Sequence, residues 1–320
     1  MPKLSILIAA HDETLLEASL VSVLQSRPAD CEVVVVHDES YQDPYDLAGE
    51  VRFVATSRAS EELARLNLGL AHCRGSVIHV LRSGAEVTDG WTQAALAHFA
   101  DPTVAAVAPL VMTPDGQQIA SSGVAYHPGG KRIARGQAQS AQSVPGATET
   151  VLGPTLDAAF YRAGALNLLR DAFCLEVGSE MADVDLALRL SRAGYRAIFE
   201  PASRVVAPRP ARTNPLVEAW LAERLYWRHA KHFGMARSLA AHAAVVGREF
   251  TLCLVRPLRV GCVLGRAAAF FEHALTRRAP QTADRPQPPP TPRTDLRLDP
   301  AVDGGISLRR RSRQRTPEVV

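Results

Sequence analysis

Asp38 and Ser40 follow the apolar run 32–37, and Ala9, Ala10, His11 and Asp12 close the apolar run that begins at Leu4. If both runs are strands of one parallel sheet, these groups collect at its carboxyl edge, where open α/β sheets bind ligands. Asp38 also has a plainer role open to it, because Asp-x-Ser routinely ends a strand and starts a turn. Arg82 closes a third apolar run. A guanidinium there stays charged and can pair bidentately with phosphate oxygens, or it is simply a solvated loop arginine. Asp183 and Asp185 open a helical pattern in which Asp185 and Arg189 are spaced to pair one turn apart. A carboxylate at 183 suits a helix N-terminus by capping and by the helix dipole. His229 and His232 have chelating spacing but no third ligand, a pattern more usual on a packed or solvated helix face.

Positioning these groups requires alternating strands and helices. Residues 4–9, 32–37, 51–55, 77–81 and 104–109 read as strands, and 14–25 and 60–71 as helices between them, which is the pattern of βαβ units and a largely parallel sheet. Ser60 is the expected N-cap of the second helix, with Glu61 and Glu62 placing negative charge in its first turn. The Gly-, Gln- and Ser-rich segment 113–150 is expected to form irregular strands and a mobile loop of the kind that serves as a lid. Residues 183–193 read as a helix stopped by Gly194, and 195–199 as a short strand. From 215 to 278 the chain is predominantly helical, anchored by Trp220, Leu221, Leu225, Trp227 and Phe233. After 279 a proline-rich and arginine-rich stretch, with Pro288, Pro289 and Pro290 followed by Arg309, Arg310 and Arg311, is expected to be a disordered tail.

Composition removes several classes of function. The chain has 320 residues, 47% of them hydrophobic, enough for a full α/β core. Its net charge of +3 owes much to the arginine-rich tail, leaving no nucleic-acid signature on the body. Five cysteines without a C-x-x-C pair read as reduced thiols rather than a disulfide framework or zinc site. The apolar run 4–10 is too short for a secretory leader. The run 250–264 is broken by Arg256, Pro257 and Arg259, so no transmembrane helix is expected and the location reads as cytoplasmic.

The opening "LSILIAAHDETLLEASLVSVLQSRPADCEVVVVHDES" resembles that of family-2 glycosyltransferases, which run S-V-I-I-P-x-Y-N, then a helix ending S-L-L-x-Q, then V-V-D-D-G-S. "RLNLGLAHCRGSVIHVLRSGAEVTDGW" is similar to the family's A-R-N-x-G-I-x-x-A-x-G-E-Y-I-x-F-L-D-x-D-D, with Asn67, Gly69, Ala71, Gly75, Ile78 and Leu81 in place. "MADVDLALRLSRAGYRAIFEP" resembles its E-D-x-D-L-x-x-R-x-x-x-A-G-Y-R-x-x-x-x-P stretch. The resemblance covers roughly residues 3–206. It implies a GT-A-like α/β fold, a mostly parallel sheet flanked by helices, over 1–212. Residues 1–110 form the nucleotide-binding half and 111–212 the acceptor half, followed by a helical extension at 213–278 and the tail at 279–320.

By the same resemblance, Asp38 accepts a hydrogen bond from the base of a nucleotide-sugar and His11 lies against that base. Ala9, Ser40 and Asn67 are placed in the nucleotide site, Arg82 joins them as a candidate outside the family pattern, and Asp183 is the general base that deprotonates a hydroxyl acceptor, giving inversion. The donor is a UDP- or other NDP-sugar, and the acceptor a glycan or lipid-linked molecule in cell-surface glycan assembly. The chain departs from the family where D-x-D is expected: Arg82, Ser83 and Gly84 stand there, with only Glu86 nearby. Mg²⁺ or Mn²⁺ therefore lacks its usual hard ligands, and Arg82 is a candidate substitute for the metal's charge. Ala182 likewise replaces the acidic neighbour of Asp183. Two further expectations follow. The arginine-bearing C-terminal helices either lie on the inner face of an anionic membrane or pack as a hairpin. The loss of D-x-D leaves a non-catalytic nucleotide-binding or interaction module as the alternative to an enzyme.

Overall fold

Strand β1 (Leu4–Ala9) is buried along its whole length, and β2 (Cys31–Asp38) contains the consecutive valines 33–36. Runs apolar at successive positions are what a strand covered on both faces of a sheet requires. The computed structural model describes residues 3–10, 12–57, 60–208, 214–255 and 260–276. His11 and the expected tail 279–320 lie outside the described residues.

In chain order, α1 (Glu13–Ser26) links β1 to β2, and β3 (Val51–Thr56) is followed by α2 (Glu62–His72) and β4 (Val77–Arg82). Next come β5 (Glu86–Val87), α3 (Trp91–Ala97), β6 (Val104–Met112), β7 (Ile119–Ser121), and the hairpin β8 (Val124–His127) and β9 (Lys131–Ala134). After β10 (Glu149–Val151) and β11 (Ala158–Arg162), a short helix α4 (Ala163–Leu166) precedes α5 (Gly178–Arg192) and β12 (Arg196–Val206). Helices α6 (Pro215–His229), α7 (Met235–Val255) and α8 (Val260–Thr276) complete the described chain. The main sheet runs β10-β12-β6-β11-β4-β1-β2-β3, parallel through β4-β1-β2-β3 and from β6 to β12, with β11 antiparallel to both its neighbours.

The two-residue period of the strands sorts the core into two layers. Ile6, Ile8, Val33 and Val35 face Leu16, Leu20 and Trp91. Leu7, Val34 and Val36 face the layer that holds Leu63, Leu66, Val184 and Leu188. Leu221 and Leu225 of α6 belong to this second layer, so the first of the C-terminal helices shares a core with α5. Asp12 caps α1 by accepting from the Leu15 amide at 3.0 Å. Gly75 is required by a close approach: a Cβ there would lie 2.5 Å from the backbone nitrogen of Ser5.

Several sequence expectations are corrected. Ser60 does not cap α2; the N-cap is Glu61, and the Ser60 hydroxyl instead pairs with Thr56 Oγ1 at 3.1 Å. Helix α5 begins at Gly178 rather than 183, so Asp183 lies inside the helix and does not cap it. The strand expected at 195–199 continues to Val206, with a register shift between Glu200 and Arg204 that absorbs Pro201. Segment 113–150 contains β7, β8, β9 and β10. The β8–β9 hairpin has a three-residue turn in which Gly130 takes a φ of 90°, the left-handed conformation such turns need. Its tip is held by the C-terminal helices: Ser238 Oγ donates to the Pro128 carbonyl at 3.2 Å, and His242 Nδ1 lies 3.0 Å from the Gly129 carbonyl.

Candidate functional site

Ala9 is in register with Val36 of β2 on one side and Arg82 of β4 on the other. The carboxyl ends of β1, β2 and β4 therefore form one edge, with Asp38 two residues beyond Val36. Adjacent strands are about 4.8 Å apart, so Arg82 and the end of β2 flank β1 at roughly 10 Å from each other. The Ala10 amide donates to the Val36 carbonyl at 2.8 Å, and the buried Arg65 guanidinium from α2 donates to the Ala10 carbonyl. The exit of β1 is thus fixed from two directions. Asp38 is oriented by an Asx turn: the Ser40 amide donates to Asp38 Oδ1 at 2.8 Å, and the Ser40 hydroxyl donates to the same oxygen.

Arg82 meets carboxylates rather than open solvent. Its Nη1 lies 3.0 Å from Asp157 Oδ1 and its Nε 3.6 Å from Glu62 Oε1, while its backbone amide donates to the Asp157 carbonyl at 3.0 Å. Asp157 directly precedes β11, which pairs antiparallel with β4, and this pairing brings Asp157 opposite Arg82. The solvated-loop reading of Arg82 is thereby replaced by an ion-paired arginine at the sheet edge.

Asp183 projects from the first half of α5 and is 2% exposed. Arg132 of β9 grips it with a fork: Nε donates to Oδ1 at 3.0 Å and Nη2 to Oδ2 at 2.6 Å. Burial acts to lower the Arg132 pKa, but Asp183, helped by Asp157 and Glu218, outweighs it and raises the pKa above the usual arginine value. Asp157 is thus ion-paired with Arg82 and also attracts the Arg132 guanidinium through space. Neither Asp157 nor Arg132 was singled out from sequence. The signal available was the Gly-Gly turn at 129–130, which marks a hairpin and fixes which residues share the Arg132 face.

The other expected residues have different employment. Asn67 clamps the backbone of Phe173: its Nδ2 donates to the Phe173 carbonyl at 2.7 Å and its Oδ1 accepts from the Phe173 amide at 3.0 Å. It ties α2 to the segment preceding α5 and spends its amide in doing so. Asp185 is fully buried between Arg189 at 2.8 Å, Arg228 at 3.0 Å and His229 at 2.8 Å. This accounts for His229 as a structural tie between α5 and α6 rather than a chelate with His232.

A divalent cation does not fit the residues at this edge. Glu86 is exposed on β5, its strand partner being Val206, and both carboxylates near Arg82 are engaged by that arginine. Among the described residues no three His, Cys, Asp or Glu side chains gather closely enough to hold an ion.

Residues 5–140 match the family described as glycosyl transferase family 2. The chain is 29% identical over 226 residues to the pre-mycofactocin glycosyltransferase of Mycobacterium tuberculosis (strain CDC 1551 / Oshkosh), covering 67% of this chain and 43% of the relative. The match thus spans less than half the length of that curated protein. Among solved structures, GalNAc-T7 with UDP, GalNAc and Mn²⁺ superimposes at a TM-score of 0.56 and 14% identity, covering 72% of this chain and 50% of that one. S. aureus TarS does so at 0.50 and 15%, covering 75% and 43%. At these identities the likeness concerns the fold, which is GT-A-like: a mostly parallel central sheet flanked by helices.

Proposed function

We propose that the chain is an inverting glycosyltransferase that moves a sugar from a nucleoside-diphosphate donor to a hydroxyl of a glycan or lipid-linked acceptor, in cell-surface glycan assembly. The observation that carries this reading is that two ion pairs, Arg82 with Asp157 and Arg132 with Asp183, hold residues far apart in sequence, with Asp157 also attracting Arg132 through space. In the proposed reaction, Asp38 accepts a hydrogen bond from the nucleotide base. Arg82 exchanges Asp157 for the diphosphate and stabilises the charge that develops on this leaving group. Asp183 takes the proton of the acceptor hydroxyl as its oxygen attacks the anomeric carbon from the opposite face. Ala9 and Ser40 shape the base pocket, and His11 is assigned to stack there by resemblance alone. The donor class draws support from the UDP bound in GalNAc-T7.

One observation favours the alternative of a non-catalytic module: both Asp183 oxygens already accept hydrogen bonds from the Arg132 guanidinium. Titration with a panel of nucleotide-sugars in a chelator and in Mn²⁺, with assay of nucleotide release, separates the two. Turnover that survives chelation is expected with at least one donor, and Arg82→Ala is expected to weaken nucleoside-diphosphate affinity by about 10- to 100-fold. Failure of every nucleotide to bind would end the transferase reading.

We also propose that the C-terminal helices rest on an anionic membrane at its cytoplasmic face. Support comes from α8, whose exposed positions Val260, Leu264, Phe271 and Leu275 form one apolar stripe, and from the exposed Phe250, Arg237 and Arg248 of α7. The opposite side of α8 packs on α6. No helix among the described residues is long and apolar enough to cross a membrane. Sedimentation with phosphatidylglycerol vesicles is expected and should be lost in Leu264→Glu/Phe271→Glu; equal sedimentation of that variant would refute the contact.

A further inference from the structure

Arg132 has no counterpart among the motifs that carry the family resemblance, yet it makes the closest approach to Asp183 of any described cation. Three features of its setting bear on what it does. It is held on a hairpin whose tip is anchored by Ser238 and His242 of α7 and by Arg266 of α8, which donates to the Gly130 carbonyl at 3.4 Å. The Arg132 backbone is therefore fixed, and its side chain is 27% exposed. Its one ion-pair partner among the described residues is Asp183, with Asp157 and Glu218 attracting it through space. And Asp157 is the ion-pair partner of Arg82, the residue standing where family members place their metal ligands.

We propose that Arg132 is a second diphosphate-binding residue that exchanges partners: it leaves its fork on Asp183 for the diphosphate of a bound donor, releasing Asp183 as the base. The proposal rests on the donor reading above and deepens it. The physical logic is a competition between anions for one guanidinium. A diphosphate offers more charge and more acceptor oxygens than one carboxylate, and charge-assisted hydrogen bonds are the strong ones. The exchange adds positive charge beside the leaving group where this chain has an arginine in place of D-x-D. It also couples base release to donor occupancy, so Asp183 becomes a competent proton acceptor when a sugar is present to be attacked.

The test is a double-mutant cycle on the binding of UDP, GDP and ADP by the full chain, read by calorimetry in EDTA. Arg132→Gln is expected to weaken the diphosphate that binds best by about 10- to 100-fold, the loss of a charge-assisted contact. Asp183→Asn is expected to tighten it by roughly 3- to 10-fold, because Arg132 no longer has a charged competitor. In the Arg132→Gln background Asp183→Asn is expected to change nothing. Tightening that persists there would mean Asp183 merely repels the ligand through space, and would overturn the exchange. So would an Asp183→Asn variant of unchanged or weaker affinity. Arg132→Lys, which keeps the charge, supplies a second comparison should Asp183→Asn not fold. Its affinity should fall between those of wild type and Arg132→Gln, because lysine keeps the charge but loses the fork, and equal affinities for all three would also overturn the proposal. If no nucleotide binds the unaltered chain, the donor reading fails first; binding without these differences removes only the role of Arg132.

Discussion

Asp183→Asn is expected to lower kcat for sugar transfer by about 10²- to 10⁴-fold, the usual contribution of a general base, without weakening donor binding. The substitution is nearly isosteric and leaves α5 free of new steric conflict, since Asp183 is an interior residue of that helix and not its cap. What it removes is the capacity to accept a proton and the negative charge beneath Arg132. A structural role alone would give a different pattern: stability and affinity would fall together and the surviving fraction would turn over normally. Kinetics at saturating donor, combined with the melting temperature of the variant, therefore tell the two apart. Retention of wild-type kcat would remove Asp183 from the chemistry.

Arg266→Ala is expected to cost about 3–5 kcal/mol, as removal of one partner from a buried ionic network typically does. Arg266 is buried and forks Glu249 with Nε at 2.6 Å and Nη2 at 3.0 Å, while its Nη1 reaches Glu223 at 3.0 Å. Glu223 is itself buried and also accepts from Trp227 Nε1 at 2.7 Å and meets His242 at 3.2 Å. Burial alone would push the Glu223 pKa up, but His242 and Arg266 hold it below the usual carboxylate value, so the group is ionised and needs its cations. Without Arg266 the carboxylates of Glu223 on α6 and Glu249 on α7 lose their shared cation, and the Gly130 carbonyl loses a donor. A fall in melting temperature on the order of 10 °C is expected. Proteolysis should then begin in the β8–β9 hairpin. A loss below about 1 kcal/mol would mean that the network does not hold these helices to the hairpin.

The parallel strands were legible because a strand buried on both faces has to be a continuous apolar run bounded by polar or turn residues, and β1, β2 and β4 are of that kind. Their order then placed Asp38 and Arg82 at one edge. The start of α5 was misread because Asp183 looks like a cap, whereas the five residues before it, opening on Gly178, carry weak local signals and become helical in the context of the fold. The partners of Asp183 and Arg82 were not legible. Arg132 lies 51 positions before Asp183, and Asp157 reaches Arg82 through an antiparallel pairing that no local spacing encodes. Asn67 illustrates the converse. Its place in a family motif was legible, but its bonds go to the backbone of Phe173, 106 positions away.

The central claim is that one cleft at the carboxyl edge of the sheet holds a nucleoside diphosphate between Asp38 and the two arginines. The most direct measurement is a crystal structure of the chain grown in EDTA with the tightest-binding nucleoside diphosphate. The account predicts the base beside Asp38, diphosphate oxygens about 3 Å from the guanidiniums of Arg82 and Arg132, and the Asp183 carboxylate released from its fork. A diphosphate bound elsewhere, or bound at this edge with both arginines still on their carboxylates, would contradict it.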